Sequence, residues 1–359
     1  MSRYITIITT VYNIAPYLER FFKCLGEQTF TDYEALIVDD GSTDNSLEIC
    51  RAHAENDDRI RLVELEHTGI SGARNTALGL LQTPFAASLD GDDFFERDYL
   101  KHLVDAQKKY EADLVISNVI TRNEKLEETS RFPPRPEAVY EGGEIREVLP
   151  QLLREGRLNF LYSKIYRTSL LKDIRVEPDV MQGSDTMINC QYIAKARRIA
   201  VICDCDYNYI RFRSRSVTSF NGDGYYERLL RINLYVRDFM SENGLMTEEM
   251  ENAVDGRILF AGKTALQRIA GAKLSKGEKY RRAEQIADGR EYLSAYNRQR
   301  QRGNLGSARF RVVAPDEAKA YIDETAAVYR DSERDEKKQA RRERCPKALL
   351  GLYRKIRRG

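Results

Sequence analysis

The pattern of the sequence predicts an α/β fold, in which a mostly parallel sheet carries helices on both faces and is followed by a helical C-terminal region. Short apolar segments alternate with amphipathic helical patterns through about the first 118 residues, as expected for parallel strands joined by helices. Acidic and hydroxyl residues follow several of these segments directly, at the edge where such sheets bind ligands. From residue 225 to residue 330 the chain is polar, rich in Arg, Glu and Ala, and helical in pattern.

Each element of the α/β half has its own local signal. Apolar runs bounded by turn residues predict the strands, at residues 4–10, 34–39, 60–65, 85–89 and 114–117. Apolar side chains at helical spacing predict helices over residues 17–28, 72–81 and 99–110. One more helix is expected to begin after a cap formed by Thr43 or Asp44. Residues 132–143 contain three prolines and two glycines, which predicts a connecting loop.

Size, charge and composition exclude several classes of protein. With 359 residues, of which 42% are hydrophobic and 32% charged, the chain can form two or three folded domains. A net charge of +2 does not favour a general polyanion binder, and no apolar run is long enough to cross a membrane. The N-terminal residues lack the pattern of a signal peptide, and six scattered cysteines do not suggest a disulfide framework. We therefore expect a cytoplasmic protein.

Basic residues are concentrated at the C-terminal end. Residues 337–359 contain ten Lys or Arg and one Glu, a net charge of +9, which leaves −7 for the rest of the chain. Within them, residues 345–358 have apolar side chains on one helical face and basic side chains around it. Such a helix can bind an anionic membrane surface, which would make the protein peripheral at the inner face of the cell membrane. The alternatives are a solvated tail or a helix packed on the protein, and nucleic acid is disfavoured because the segment has few aromatic residues.

Two groups of carboxylates follow predicted strands. Asp39 and Asp40 come directly after an apolar strand and before Gly-Ser-Thr, where a carboxylate can accept hydrogen bonds from a base or a ribose. A helix cap would explain the hydroxyl residues but not this pair of acids. Asp90, Asp92 and Asp93 place three acids within four residues, and a hard divalent cation such as Mg²⁺ or Mn²⁺ would offset their repulsion. A solvated acidic turn is the alternative.

Arginines and one further acid complete the candidate site. Arg74 lies near the start of a predicted helix, and the N-terminus of a helix also favours anions. Arg211, Arg213 and Arg215 alternate along a predicted strand, so they would share one side, suited to a phosphate group or to protection of an exposed sheet edge. Asp185 follows Gly and Ser, and from its spacing alone it fits a turn or a helix cap as well as a catalytic role.

Together these segments resemble, in the same order, the motifs of the family 2 inverting glycosyltransferases, which have a Rossmann-like GT-A fold. The strongest similarities are those of Val38–Asp44 to V-D-D-G-S-T-D and of Leu89–Asp93 to the metal-binding D-x-D-D. Further segments resemble the family's P-V-Y-N, Q-T-Y/F, G-x-S-x-A-R-N, N-K-L-Y, G-E-D and R-x-R-x-x-S-V-T motifs: Thr10–Asn13, Gln28–Phe30, Gly69–Asn75, Ser163–Tyr166, Gly183–Asp185 and Arg211–Thr218. The resemblance covers about residues 4–220 and is to the bacterial cell-surface polysaccharide type.

The resemblance implies a donor site for a nucleoside-diphosphate sugar, expected to be UDP-linked. Thr10 and Asp40 would contact the nucleotide base, with Asp40 accepting a hydrogen bond from a uracil-type imide. Tyr12 would belong to the same nucleotide-sugar site. Arg74 would approach the base or the diphosphate, and Asp90 would contact the ribose or the sugar.

The resemblance also implies roles in the chemical step. Asp92 would bind the divalent metal, Mn²⁺ or Mg²⁺, while Arg211 and Arg213 would stabilise the leaving diphosphate. Asp185 would be the general base that takes the proton from the acceptor hydroxyl, and one displacement would invert the anomeric configuration. The implied reaction transfers a hexose to a glycan or lipid-linked acceptor in cell-surface polysaccharide synthesis.

The same resemblance suggests how the chain divides into domains. The sequence also differs from the family's motifs at several positions. We expect a nucleotide-sugar-binding half over residues 1–118, an acceptor-binding half with the base over 119–222, a helical region over 223–335 and the basic amphipathic tail over 336–359. Thr10 stands where the family has Pro, Ser163 where it has Asn, and Ser184 where it has a Glu that often flanks the acceptor. His67 replaces a common Asn and is expected to be a loop residue.

Other classes of protein fit the sequence less well. A non-catalytic sugar-nucleotide-binding protein of the same fold is the alternative, and Ser184 in place of Glu is the feature that supports it. A nucleotidyltransferase is disfavoured because residues 10–13 do not form a Gly-rich loop with a basic residue. A dehydrogenase is disfavoured because no G-x-G-x-x-G follows the first strand.

Overall fold

A computed structural model of the chain describes residues 3–132, 135–177, 180, 182–204, 206–211, 224–306 and 312–328. Arg213 and the basic segment 337–359 lie outside the described residues. The chain divides into two compact units, one formed by residues 1–223 and 227–254 and the other by residues 224–226 and 255–359. Among the described residues, no helix combines the length and the apolar composition needed to cross a membrane.

The first unit contains a mixed sheet of eight strands. In spatial order they are β3 (Ile60–Glu64), β2 (Tyr33–Asp39), β1 (Ile5–Val11), β4 (Phe85–Ser88), β10 (Lys164–Arg167), β6 (Leu114–Ile116), β11 (Arg198–Val201) and β9 (Ala138–Glu141). The first four strands in this order are parallel to one another, and β10 is antiparallel to both of its neighbours. The five strands predicted from the sequence are confirmed, with their ends shifted by no more than one residue.

Four short strands form a smaller sheet in the same unit. In spatial order they are β5 (Phe94–Phe95), β12 (Tyr207–Arg211), β7 (Val119–Asn123) and β8 (Glu128–Arg131). β5 lies directly after the acidic segment that ends at Asp93. The smaller sheet therefore connects the acidic segment with chain more than a hundred residues away in sequence.

Helices flank the strands of the first unit. They are α1 (Ala15–Gly26), α2 (Ser46–Asn56), α3 (Gly69–Gly79), α4 (Tyr99–Tyr110), α5 (Gly143–Arg154), α6 (Thr168–Leu171) and α7 (Ser184–Ile193). The predicted helices α1 to α4 are confirmed. In α1 the apolar side chains at helical spacing, Leu18, Phe21, Phe22 and Leu25, are the ones that are buried.

Two local predictions are wrong. Helix α2 begins at Ser46 after Asn45, rather than after a cap formed by Thr43 or Asp44. Asp44 nevertheless accepts a hydrogen bond from the Ser46 amide at 2.9 Å, so a predicted residue still satisfies one amide of the first turn. The predicted loop at residues 132–143 contains β9, which pairs with β11 at the edge of the large sheet. An edge strand tolerates neighbouring prolines, and its partner lies far away in sequence, so local composition could not reveal it.

The core explains why one edge of the large sheet becomes a binding edge. β1 and β2 are buried on both faces, as expected for parallel strands covered by helices. Residues of β1 lie opposite those of both β2 and β4 in parallel register. The carboxyl ends of these three strands therefore lie at the same edge, and the acidic residues that follow β2 and β4 lie there with them.

The helical C-terminal region predicted from the sequence is confirmed. It contains α8 (Tyr225–Glu242), α9 (Glu248–Gly271), α10 (Lys276–Ala287) and α11 (Arg290–Gln301), and residues 318–328 are also helical. In the second unit, Asp255 is fully buried and accepts hydrogen bonds from Arg298 at 2.7 and 2.8 Å. Gly262 leaves room for the Tyr292 ring, which a Cβ atom at that position would overlap.

Candidate active site

The motif after β2 folds into a compact turn around Asn13. Asn13 has φ +54°, and its side-chain Oδ1 accepts hydrogen bonds from the backbone amides of Thr43 and Asp44 at 2.8 and 3.2 Å. Gly41 has φ +73°, and a Cβ atom there would lie 2.9 Å from the backbone nitrogen of His67. Both the left-handed conformation and the close approach therefore require glycine at this position.

Asp40 is buried, and neighbouring protein groups bind its carboxylate. Its Oδ1 accepts hydrogen bonds from the Thr68 amide at 2.7 Å and from the Thr68 hydroxyl at 2.9 Å. His67 Nδ1 lies 2.9 Å from Oδ2 of the same carboxylate. The sequence predicts Asp40 as an acceptor for a nucleotide base. In the structure it also anchors the segment that leads into α3.

His67 and Tyr12 form a stacked aromatic pair beside Asp40. Their ring centroids are 4.3 Å apart, with 21° between the ring planes, and Tyr12 is 43% exposed. Thr10 is half-buried on β1, two residues before Tyr12 and opposite Val38 of β2. An exposed aromatic face next to hydrogen-bonding groups is suited to a planar ligand. From the sequence, His67 is expected to be an ordinary loop residue, and the departure from the family's Asn is its only signal.

The acidic segment after β4 separates into carboxylates with different surroundings. Asp93 is fully buried, and its two oxygens accept hydrogen bonds at 2.7 Å from the Tyr207 hydroxyl and from the Ile210 amide. Burial and the neighbouring charges of Asp92 and Asp90 raise the pKa of Asp93. Asp93 therefore joins the acidic segment to β12, and its oxygens are occupied by this contact.

Asp90 and Asp92 are the two acids of this segment that remain for a ligand. Burial, followed by repulsion from Asp92, raises the pKa of Asp90 to about 7, although the charge of Arg74 opposes the rise. Burial also raises the pKa of Asp92. No other described side chain donates a hydrogen bond to either carboxylate. Because two half-buried carboxylates lie close enough for their charges to interact, their oxygens fit a hard divalent cation such as Mg²⁺ or Mn²⁺.

Arg74, which the sequence predicts as a ligand-binding residue, also contacts the predicted base, Asp185. It is buried, donates a hydrogen bond to the Ser184 hydroxyl at 2.5 Å, and forms an ion pair with Asp185. Asp185 lies in the first turn of α7, directly after Gly183 and Ser184. The charges of both Arg74 and Asp185 also act on Asp90. The fold thus brings Arg74, Asp90, Asp92 and Asp185, which the sequence singled out separately, into one electrostatic neighbourhood.

A buried lysine, Lys164, is close enough to Asp185 for the charge of that carboxylate to act on it. Lys164 is fully buried, and its Nζ donates hydrogen bonds to the carbonyl oxygens of Phe160 and Tyr162 at 2.7 and 3.3 Å. Burial lowers the pKa of Lys164 well below its usual value, and the Asp185 carboxylate opposes that effect. The sequence identified residues 164–166 as a motif without a role, and the structure places their strand next to the base.

The predicted arginine group is described only in part. Arg211 is exposed at the end of β12, where it lies opposite Asn123 of β7. Arg213 lies outside the described residues. Contact of either arginine with a diphosphate therefore stays a prediction.

A second group of metal-type ligands lies elsewhere in the first unit. His102, Asp204 and Asp206 have ligand atoms within 4.8 Å of one another, and theirs is the group of three such side chains found in the described parts of the chain. Burial opposes protonation of His102, but its 2.7 Å contact with Asp206 raises its pKa overall. Ion pairing accounts for this group, and it does not include Asp92.

The fold is that of the GT-A glycosyltransferases, as predicted. A crystal structure of S. aureus TarS in complex with UDP-GlcNAc superposes on the chain with a TM-score of 0.65. The two share 18% sequence identity, and the match covers 92% of each chain. At this identity the similarity establishes the fold alone.

The chain carries a family 2 glycosyltransferase domain, as the motifs indicated. Residues 6–175 match the family described as Glycosyl transferase family 2. Glycosyltransferase GlyA of Streptococcus pneumoniae is 31% identical over 220 residues, which cover 60% of this chain and 31% of GlyA. Bacillus subtilis EpsJ, an uncharacterized glycosyltransferase, is 26% identical over 209 residues, 57% of this chain and 60% of EpsJ. The chain thus spans less than two thirds of the length of these relatives.

Proposed function

We propose that this chain is an inverting glycosyltransferase. It would move a sugar, a hexose, from a UDP-linked donor to a hydroxyl group of an acceptor by a single displacement. The observation that carries the proposal is the convergence of Asp90, Asp92, Arg74 and Asp185 at the binding edge of the large sheet. The family 2 domain and the glycosyltransferase names of the relatives support the same class of reaction.

The nucleotide base is proposed to bind at the edge formed by β1 and β2. Tyr12 offers an exposed aromatic face stacked on His67, and Thr10 and Asp40 flank it with polar groups. The UDP-GlcNAc present in the TarS structure supports a uracil nucleotide as the donor. Since protein groups already contact both oxygens of Asp40, an imide would have to share one of them as a second donor.

The diphosphate is proposed to lie beside Asp90 and Asp92. A bound Mg²⁺ or Mn²⁺, held by Asp92, would neutralise the negative charge that develops on the departing diphosphate. Asp90 would contact the ribose or the sugar, and Arg211 and Arg213 would add positive charge at the leaving group. Burial and the charge of Asp92 raise the pKa of Asp90, and a cation bound beside the two carboxylates would oppose that rise, which supports this arrangement.

Asp185 is proposed as the general base. A carboxylate that takes the proton from the acceptor hydroxyl makes the oxygen a better nucleophile as it attacks the anomeric carbon. The bond to the diphosphate oxygen breaks as the new glycosidic bond forms, so the configuration inverts. In the structure Arg74 pairs with Asp185 and is close enough to Asp90 for its charge to act there. Arg74 can therefore orient the base and also contribute charge to the donor side.

The test is a thermal-shift screen with UDP-, GDP-, CDP- and dTDP-sugars, each with and without Mn²⁺. A ligand at a hundredfold excess over Kd stabilises a protein by about 2.7 kcal/mol. We expect a shift with UDP-sugars that requires Mn²⁺, and loss of this metal-dependent shift in Asp92→Asn. Stabilisation by no donor, or a full metal-dependent shift in Asp92→Asn, would contradict the proposed site.

Release of UDP distinguishes an enzyme from the alternative, a non-catalytic sugar-nucleotide-binding protein. Ser184 in place of the family's Glu is the feature that favours the alternative, because an acceptor-flanking acid is missing. Binding alone predicts a thermal shift without any UDP release. A turnover that depends on both Mn²⁺ and Asp185 supports the enzyme.

For the acceptor we propose a glycan or a lipid-linked glycan of the cell surface. The name of TarS, a poly(ribitol-phosphate) β-N-acetylglucosaminyltransferase of Staphylococcus aureus that is 27% identical over 213 residues, supports a polymeric acceptor. The basic composition of residues 345–358 supports a peripheral position at the cytoplasmic face of the membrane. Deletion of residues 337–359 should release the protein from anionic vesicles, and unchanged co-sedimentation would contradict the membrane proposal.

A further inference from the structure

The start of α3 holds the segment that carries the proposed base. Ser71, Arg74 and Asn75 occupy positions i, i+3 and i+4 of the chain, so their side chains lie on one face of the helix. All three bond to residues that lie 101 to 111 positions further along the chain, namely Val176, Val180, Ser184 and Asp185. The motif that resembles a donor-binding sequence therefore also connects the donor half to the chain leading into α7.

Two of these contacts are made to backbone atoms. Asn75 Nδ2 donates to the Val176 carbonyl at 2.7 Å, and Asn75 Oδ1 accepts from the Val176 amide at 3.1 Å. Ser71 is buried and donates its hydroxyl to the Val180 carbonyl at 2.6 Å. Because the side chain of Asn75 satisfies both polar backbone groups of Val176, it holds this residue from two sides. The contact does not depend on which side chain stands at position 176.

The base is only a few residues beyond these contacts. Gly183, with φ +90°, turns the chain into α7, and Asp185 lies in the first turn of that helix. Asp185 lies five positions after Val180 in the sequence, so we expect its place to depend on where that backbone is anchored. A shift of about 1 Å in a reacting group can lower a rate by about a hundredfold.

We infer that Asn75 and Ser71 are positioning residues for the transfer reaction. They hold the backbone at Val176 and at Val180 and so determine where Asp185 stands relative to the bound donor. The inference rests on the proposed function, since it requires Asp185 to act as the base. It adds a role for the polar residues of α3 that does not involve contact with the nucleotide sugar.

The experiment compares Asn75→Ala and Ser71→Ala with Thr76→Ala. Thr76 is a matched control, since its hydroxyl bonds to Gly72 within the same helix and does not reach residues 176–185. The assay is UDP release from the UDP-sugar selected by the thermal-shift screen, with Mn²⁺ and with water as the acceptor. We expect kcat to fall about 10- to 100-fold in the two test variants, with donor affinity changed less than about twofold. The control should keep both values.

A double variant separates positioning from a general structural role. If Asn75 acts through Asp185, then Asn75→Ala combined with Asp185→Asn should be no slower than Asp185→Asn alone. Losses that multiply would overturn the inference. If Asp185→Asn is slow while Asn75→Ala has the normal rate, only the inference fails. If Asp185→Asn itself is fully active, the proposed base fails, and the inference fails with it.

A second variant covers the case in which Asn75→Ala does not fold. Asn75→Asp keeps the shape of the side chain and the acceptor for the Val176 amide, but it removes the donor to the Val176 carbonyl. Hydrogen exchange should become faster in peptides covering residues 176–187 and stay unchanged in those covering β1 and β2. Unchanged exchange at residues 176–187 together with a normal kcat would overturn the inference.

Discussion

Replacement of Asp90 by Asn should stabilise the metal-free protein at pH 8. The pKa of Asp90 rises from its ordinary value of 3.8 to about 7, first because of burial and then because of the charge of Asp92. Between these two values the folded protein holds a proton that the unfolded chain has released. Stability therefore falls as the pH rises from about 4 to about 7, and the full cost is present above pH 7.

The magnitude follows from the size of that rise. At 1.36 kcal/mol per pH unit, a rise from 3.8 to about 7 corresponds to about 4 kcal/mol. Asn remains a buried polar group, so we expect about 2–4 kcal/mol of the cost to be removed at pH 8. For a folded unit of this size that is an increase in Tm on the order of 5–10 °C. At pH 5 the difference should be less than half as large, because wild-type Asp90 is then mostly protonated.

The assay is thermal unfolding in EDTA at pH 5 and pH 8, with Asp58→Asn as the control. The Asp58 side chain is 90% exposed, so its replacement should change stability by less than about 0.5 kcal/mol. Adding Mn²⁺ should raise the Tm of the wild type more than that of Asp90→Asn. If Asp90→Asn is no more stable than the wild type at pH 8 in EDTA, the ionised Asp90 carboxylate does not destabilise the metal-free fold. The proposed cation site then loses this support.

Three further changes test other parts of the structure. Asp185→Asn should lower kcat about 10²–10⁴-fold with nearly unchanged donor affinity, and a loss of donor binding in titrations would argue against a base. Gly41→Ala should destabilise the first unit by about 2 kcal/mol in denaturant unfolding, because its Cβ atom would lie 2.9 Å from the His67 nitrogen and its φ is +73°; stability equal to the wild type would show that the turn can adjust. Asp255→Ala should cost about 3 kcal/mol, since it leaves Arg298 without its buried partner, and an unchanged Tm would contradict that role.

The sequence predicted the elements that have strong local signals. β1 to β4 and α1 to α4 appear where apolar runs and helical spacing placed them, since the burial of each face follows from its own periodicity. β9 was missed because its pairing with β11 depends on residues far away in the chain. The start of α2 was misplaced for a smaller reason. Several polar residues in succession could have capped it, and the tertiary contacts of Asn13 occupy the turn before it.

The candidate site shows the same division between local and long-range information. Each acid and arginine could be chosen from its position after a strand or at a helix start. Which of them interact could not be chosen, because that depends on contacts between residues a hundred positions apart. Asp93 is an example, since it belongs to the acidic motif by sequence but bonds to Tyr207 and to the Ile210 amide in the fold. Arg74 is another, since it pairs with Asp185.

The sequence by itself determined the α/β class, the order of the strands along the chain, the family of the domain and the residues that can carry its chemistry. Those properties are local, because they depend on side-chain type, periodicity and motif order. Only the tertiary structure decided that Ser71 and Asn75 hold the backbone before α7 and that burial and the charge of Asp92 raise the pKa of Asp90. Burial and pairing are properties of the folded chain, since a carboxylate changes its pKa only when the fold removes water and brings other charges to it.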